Sequence, residues 1–242
     1  MEPRTRDSDS MNAITEAPES APEVPAAPPP WPSPRTQVRR IAERGHYDRS
    51  TIEAIIDAAW HCHLAFAAAE SVHCIPTACW REGEHLYIHG SNGSRLLKAL
   101  ADGAQACVCI THLDGLVLAR SAFHHSMNYR SVVIYGQFER VAEEHKRQAL
   151  DRFVQRIGVG REHEVRAPDP TELAATTILR ISLAEAAAKI RTGGPKDDEP
   201  DLTLPVWAGV LPMREQQLSP ARDPDCAVDP PGYVKDWPSK MD

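Results

Sequence analysis

The 242-residue chain is short of basic charge, long apolar runs and zinc-type cysteine spacing, and each shortage excludes something. Lys and Arg number 27 against 34 Asp and Glu, a formal net charge of −7. Gripping a nucleic-acid backbone by counterion release needs a basic face or tail, and the sequence offers neither. No apolar run approaches the roughly 20 residues of a spanning helix, and the N-terminus lacks the basic-then-apolar order of a secretory signal. A cytoplasmic protein with no nucleic-acid and no membrane partner is expected. The six cysteines, in a reducing compartment, read as buried thiols; "HCH" at 61–63 and the pair Cys74 and Cys79 lack zinc-site spacing, so no metal site is expected.

Proline is nearly absent from the middle of the chain. Nine of the 21 prolines lie in residues 1–34, nine in 195–242 and three in the 160 residues between. The middle, 35–194, therefore reads as one domain. The N-terminal "APEVPAAPPPWPSP" is a proline-rich extension that cannot build a core and is expected to be disordered, and 195–242 is an acidic, proline-rich C-terminal extension, partly packed on the domain. Residues 35–194 hold 20 basic and 18 acidic side chains, so the net negative charge resides in the tails.

Within the domain, "RSTIEAIIDAAWHCH" (49–63) has helical spacing at Ile52, Ile55, Ile56, Ala59 and Trp60, with Ser50 and Glu53 as a capping box. "HLAFAAA" (63–69), "SVHCIPTACWRE" (71–82) and "EHLYIHG" (84–90) read as an antiparallel meander with a hairpin at Gly83. A short helix follows in "SNGSRLLKALADG" (91–103). Two strands are expected around an Asp114-Gly115 turn, then a strand from Tyr129 to Val141. "EEHKRQALDRFVQRIG" carries a helical stripe of Leu150, Phe153, Val154 and Ile157, and "TTILRISLAE" (176–185) is a last strand before an alanine-rich segment. About six strands and three helices with hairpin connections indicate a mainly β, α+β fold built on an antiparallel sheet or small barrel.

Chemistry concentrates in "LYIHGSNGSRLLKAL" (86–100). A strand ends at His89, a turn carries Gly90, Ser91, Asn92, Gly93 and Ser94, and a helix opens with Arg95 in its first turn and Lys98 one turn on. Unpaired N–H groups, small residues and hydroxyls make an anion cradle, and arginine opposes the helix dipole unless an anion accompanies it. An ordinary serine-capped helix with solvated cations has the same local features. The glycines match no Walker or dinucleotide fingerprint.

Taken in order, "IPTACWREGEHLYIHGSNGSRLLKAL", "CVCITHLDGLVLARSAFHHSMNYRSVVIYGQFERV", "KIRTGGPKDD" and "LPVWAGVLP" resemble the flavin-nucleotide-binding proteins related to nitroimidazole-resistance proteins, a branch of the pyridoxamine 5'-phosphate oxidase-like group. The resemblance spans about residues 36–213. It implies an FMN-binding split β-barrel with flanking helices, assembled as a homodimer with FMN at the subunit interface. It implies that Pro76, Thr77 and Ala78 border the isoalloxazine ring and that His89, Gly90, Ser91, Ser94, Arg95 and Lys98 surround the ribityl phosphate. Arg130 and Ser131, with His124, His125, Asn128 and Tyr129, precede or open a strand bordering the same pocket. The segment "PVWAGVLP" packs on the barrel or folds back so that Trp207 covers the flavin. The substrate-binding arginine motif of pyridoxamine phosphate oxidation has no counterpart in the C-terminal tail.

Two functions stand after this reading. One is an FMN-dependent oxidoreductase acting on a small molecule, with no catalytic side chain named because the flavin carries the chemistry. The other is a non-catalytic FMN- or haem-binding protein, for which His124 and His125 are the best-placed axial ligands. A thiol-based detoxifier using Cys74 or Cys79 lacks an adjacent base and orienting acid.

Overall fold

The computed structural model describes residues 32–68 and 70–237; the expected N-terminal extension lies outside them up to residue 31. In chain order the elements are β1 (Gly45–His46), α1 (Arg49–Asp57), β2 (His61–Ala68), β3 (Ser71–Ala78), β4 (Trp80–Glu82), β5 (His85–Ser91), α2 (Arg95–Ala101), β6 (Gln105–Leu118), β7 (Ser126–Gln137) and β8 (Glu139–Arg140). They continue with α3 (Glu143–Ile157), α4 (Arg161–Glu164), α5 (Pro170–Ala174), β9 (Thr176–Ser182), β10 (Ala186–Arg191), β11 (Gly209–Pro212) and α6 (Gly232–Lys235). Two antiparallel sheets result, one ordered β1-β10-β7-β6-β2-β3 with β11 added on β6, the other β4-β5-β9-β8. The expected α+β class with antiparallel sheets is present.

The core lies where inward faces of both sheets meet. Leu64, Val108 and Ile134 from the larger sheet join Leu86, Ile88, Leu179 and Ile181 from the smaller, closed by Ile52, Ile55 and Ile56 of α1 and Leu96, Leu97 and Leu100 of α2. The other face of the small sheet carries a second cluster of Trp80, Tyr87, Ile178, Val141 and Ala149, against which Leu150 and Phe153 of α3 pack. Ile157, expected on that stripe, is instead 48% exposed.

Several local expectations give way to long-range contacts. Helix α1 is capped by Asp48, which accepts from the Thr51 amide, while Ser50 donates to Asp48 and Glu53 pairs with Arg49 and Arg81. These hydrogen bonds, from Thr51 first, hold the Asp48 carboxyl down at about 2. The helix stops at Asp57, because "HCHLAF" alternates along β2 and buries Cys62, Leu64 and Phe66. The run 71–82 is two strands, since the chain leaves the large sheet after Ala78 and enters the small one at Trp80. Gly83, at φ +52°, makes the expected hairpin.

Asp114-Gly115 is not a turn. Strand β6 runs through it with a bulge between Leu113 and Gly115, Asp114 pairs with Arg130, and β11 lies against Gly115–Leu118. The alanine-rich segment is also a strand: β10 pairs with β7 from Ala186↔Ile134 to Arg191↔Tyr129, with Ala186 and Ala188 fully buried. A methyl group on Gly115 would stand 2.9 Å from the Leu211 carbonyl oxygen and 3.0 Å from Val210 Cγ1. Gly115→Ala is therefore expected to push β11 off β6 at a local cost of about 1–3 kcal/mol. Amide exchange at residues 209–212 should rise sharply while the rest of the sheet is unchanged; unchanged exchange there would refute the close-approach argument.

Candidate functional site

The turn after β5 is built from residues close in sequence. A methyl on Gly90 would meet Leu97 Cδ1 at 3.0 Å, so glycine there gives α2 room to fold back closely onto the strand. Ser94 caps α2, its hydroxyl accepting from the Leu97 amide at 3.4 Å, and Ser91 accepts from the Gly93 amide at 3.2 Å. Asn92 ties the turn to the end of α5: its side chain donates to the Ala174 carbonyl at 2.6 Å, its amide donates to Ala175, and Thr177 donates to its Oδ1. Arg95 and Lys98 are both exposed, and neither makes an ion pair among the described residues. Two uncompensated cations beside a rigidly tied, serine-bearing turn can accept an anionic group.

His89, next to this turn, faces the other way. Its ring lies 4.6 Å from Phe153 and 5.7 Å from Trp80, under α3. Burial pushes its pKa below the ordinary value, so the neutral ring is favoured. Its Nδ1 is buried with no hydrogen-bond partner among the described residues.

Pro76, Thr77 and Ala78 end β3, the edge of the large sheet, where a proline costs no ladder bond. Pro76 stands opposite His63, and His63 opposite Cys109, which faces Val133. By strand alternation Pro76, Ala78 and Ser131 share the outer face of the sheet, while Thr77 and Arg130 point to the opposite side. Arg130 holds Asp114 through two hydrogen bonds of 2.9 Å, which raise its pKa, and Ser131 donates to the Lys189 carbonyl at 3.2 Å. Both side chains thus already have partners within the chain. The structure gathers Gly90 to Lys98 at the end of β5, the turn after it and the start of α2, and sets Pro76, Ala78 and Ser131 on one sheet face.

Before β7, His124 Nε2 lies 3.3 Å from Asp198 and His125 Nδ1 3.0 Å from the Ser121 carbonyl. Asn128 is buried with Arg191, and Asn128 Nδ2 and Arg191 both donate to the Gly193 carbonyl. Trp207 is 63% exposed. Of the cysteines only Cys62 and Cys79 are buried; Cys74 and Cys226 are exposed, because Cys74 stands on the outer face opposite Ala65. Among the described residues no group of three His, Cys, Asp or Glu side chains is arranged to hold a metal ion, and no helix is long and apolar enough to cross a membrane.

Sequence reasoning missed two features. His61 and His63, rings 5.6 Å apart, project from the outer face of β2, a placement that the alternation of "HCHLAF" could have revealed. Glu162 of α4 joins His89 at a cavity of about 290 Å³, and no sequence signal connects residues so far apart.

The family model for pyridoxamine 5'-phosphate oxidase matches residues 48–190. Among solved structures, the flavocytochrome Anf3 from Azotobacter vinelandii is 39% identical with a TM-score of 0.82, covering 85% of this chain and 97% of that one. The FAD and heme binding protein from Mycobacterium smegmatis is 35% identical with a TM-score of 0.78, over 81% of this chain and 97% of that one. A putative 5-nitroimidazole antibiotic resistance protein from Bacteroides thetaiotaomicron, 20% identical at a TM-score of 0.51 over 60% and 86% of the two chains, shares the fold. No curated protein matches the sequence.

Proposed function

The chain belongs to the pyridoxamine 5'-phosphate oxidase family, and from that premise we propose that it is a flavin-binding redox protein that carries haem as a second cofactor. The observation that supports the reading best is the turn after β5 and the start of α2, where Arg95 and Lys98 make no ion pair among the described residues. In this reading the flavin phosphate lies against Ser91, Ser94 and Arg95 with Lys98 behind, and Pro76, Ala78 and Ser131 border the ring on the outer face of a split barrel. FMN satisfies that grip; FAD, which the mycobacterial relative binds, presents a phosphate in the same place with an adenylate beyond it. When bound, the flavin supplies hydride or electron transfer to a small-molecule substrate, and the chain contributes grip, orientation and exclusion of water.

His125 suits haem ligation better than His124. Its Nδ1 is engaged by the Ser121 carbonyl, which fixes the ring and leaves Nε2 open, the arrangement common among metal-bound histidines. Two residues after it, Met127 stands in register with Leu116 and Leu211 on three adjacent strands; they are 51%, 42% and 45% exposed, an apolar row fit to meet a porphyrin.

Absorption and mass spectra of the small molecules that co-purify test the reading. Paired near-ultraviolet and blue bands are expected with a Soret band, and the extracted mass distinguishes FMN from FAD; absence of both chromophores, with no uptake on titration, overturns it. His125→Ala should remove the Soret band and spare the flavin bands. Arg95→Ala should weaken flavin binding roughly tenfold to hundredfold, the worth of one charge-assisted phosphate contact, without changing the unfolding midpoint. Wild-type affinity in that variant would show that the phosphate lies elsewhere.

A further inference from the structure

Beneath α3 lies a cavity of about 290 Å³ that none of the cofactor contacts above uses. Two of its lining side chains each carry a buried polar atom without a hydrogen-bond partner among the described residues: Nδ1 of His89, from β5, and Oε2 of Glu162, from α4. Orphaned buried polar atoms cost free energy, and two on one cavity indicate a missing group that would satisfy both. The other charges on the wall are spent. Arg147 donates to Asp151 at 2.9 Å and Arg166 to Glu172 at 2.6 Å, which leaves the Glu162 carboxylate, 11% exposed, as the excess charge. Its other oxygen is 3.5 Å from the exposed His163. The remaining wall is apolar, with Leu150, Phe153, Val154 and Val165, and the His89 ring lies against Phe153.

An excess carboxylate with an open lone pair repels phosphates, carboxylates and nitro groups, which bring only acceptors. It attracts an N–H donor with positive charge, and the apolar wall selects an aromatic body for the same molecule. We propose that this cavity binds a small arylalkylamine whose ammonium group donates to Glu162 and whose ring lies on Phe153, with a hydroxyl at its far end meeting His89. The site is independent of the flavin and haem reading, since none of the residues to which that reading assigns the phosphate, the flavin ring or the haem lines the cavity.

Calorimetric titration of the full chain, as purified, decides the matter with tyramine as the probe and 3-(4-hydroxyphenyl)propionate as its oppositely charged counterpart. Tyramine should bind and the acid should bind at least roughly tenfold more weakly. Glu162→Gln should weaken tyramine roughly tenfold to hundredfold, the loss of one charge-assisted hydrogen bond. Phenethylamine, lacking the hydroxyl, should bind several-fold more weakly than tyramine, and that difference should vanish in His89→Phe. Equal affinity for amine and acid, no heat of binding at millimolar tyramine, or an unchanged Glu162→Gln would each overturn the proposal; the amine-against-acid comparison needs only the wild-type chain, so a variant that fails to fold leaves it decisive.

Discussion

Replacing Trp80 by alanine is expected to destabilise the folded chain by about 3–5 kcal/mol, the range for deleting a large buried aromatic. Trp80 is 2% exposed and is the first residue of the small sheet after the chain leaves the large one. Its ring stacks on Tyr87 at 5.4 Å, meets Phe153 of α3 at 5.3 Å and His89 at 5.7 Å, and its indole N–H donates to Glu82 at 2.8 Å. Alanine leaves a void under α3 and leaves Glu82 without the indole donor. Urea unfolding should show the loss as a lower midpoint at nearly unchanged slope. Trp80→Phe, which keeps most of the volume, should cost clearly less. If the alanine variant lies within about 1 kcal/mol of wild type, the aromatic cluster does not hold α3 to the sheet, and the cavity beneath that helix loses its rigid wall.

The same residue illustrates where sequence reading reached its limit. A strand through 71–82 is legible from its composition, but the move from one sheet to the other at Cys79 is set by where two sheets must meet. Helix α2 was legible to its cap because Ser94, Leu96, Leu97 and Leu100 signal locally. Asp114-Gly115 misled for the converse reason: the pair is a strong hairpin signal, yet here Arg130 takes the carboxylate and the missing side chain of Gly115 admits β11. Strand β10 was hidden because alanine has little intrinsic strand preference, and only burial between β7 and β1 makes it one.

For the site, the contiguous turn from Gly90 to Lys98 could be read directly, since the residues that form it are neighbours in sequence. The cavity of His89 and Glu162 could not, because β5, α3 and α4 meet only in the folded chain. Arg130 and Ser131 were read as one unit, but consecutive strand residues face opposite ways. The identity of the nucleotide is illegible in that turn as well, because a phosphate grip is common to FMN and FAD.

In solution the chain is expected to be a homodimer, with a mass about twice 26.7 kDa by light scattering. The outer face of the large sheet motivates this. Val72 is 78% exposed there, and Cys107 and Cys109 of β6 and Val133 and Tyr135 of β7 remain half-exposed in the single chain. Their inward neighbours Val108, Ile110, Val132 and Ile134 are essentially fully buried, so these strands are apolar on both sides although one chain covers only one. A self-complementary patch of this kind closes a twofold dimer. Because Pro76, Ala78 and Ser131 share that face, a flavin bordered by them would be sealed from water only by the second subunit. Val133→Lys places a charge in the middle of the patch, where burying it unpaired costs about 3–5 kcal/mol. That cost corresponds to a dimer dissociation constant raised by roughly two to four orders of magnitude, and flavin affinity should fall with it. Wild-type chain that scatters as a monomer while holding flavin tightly would sink both the interface and the shared site; a Val133→Lys dimer as tight as wild type would move the interface off this face.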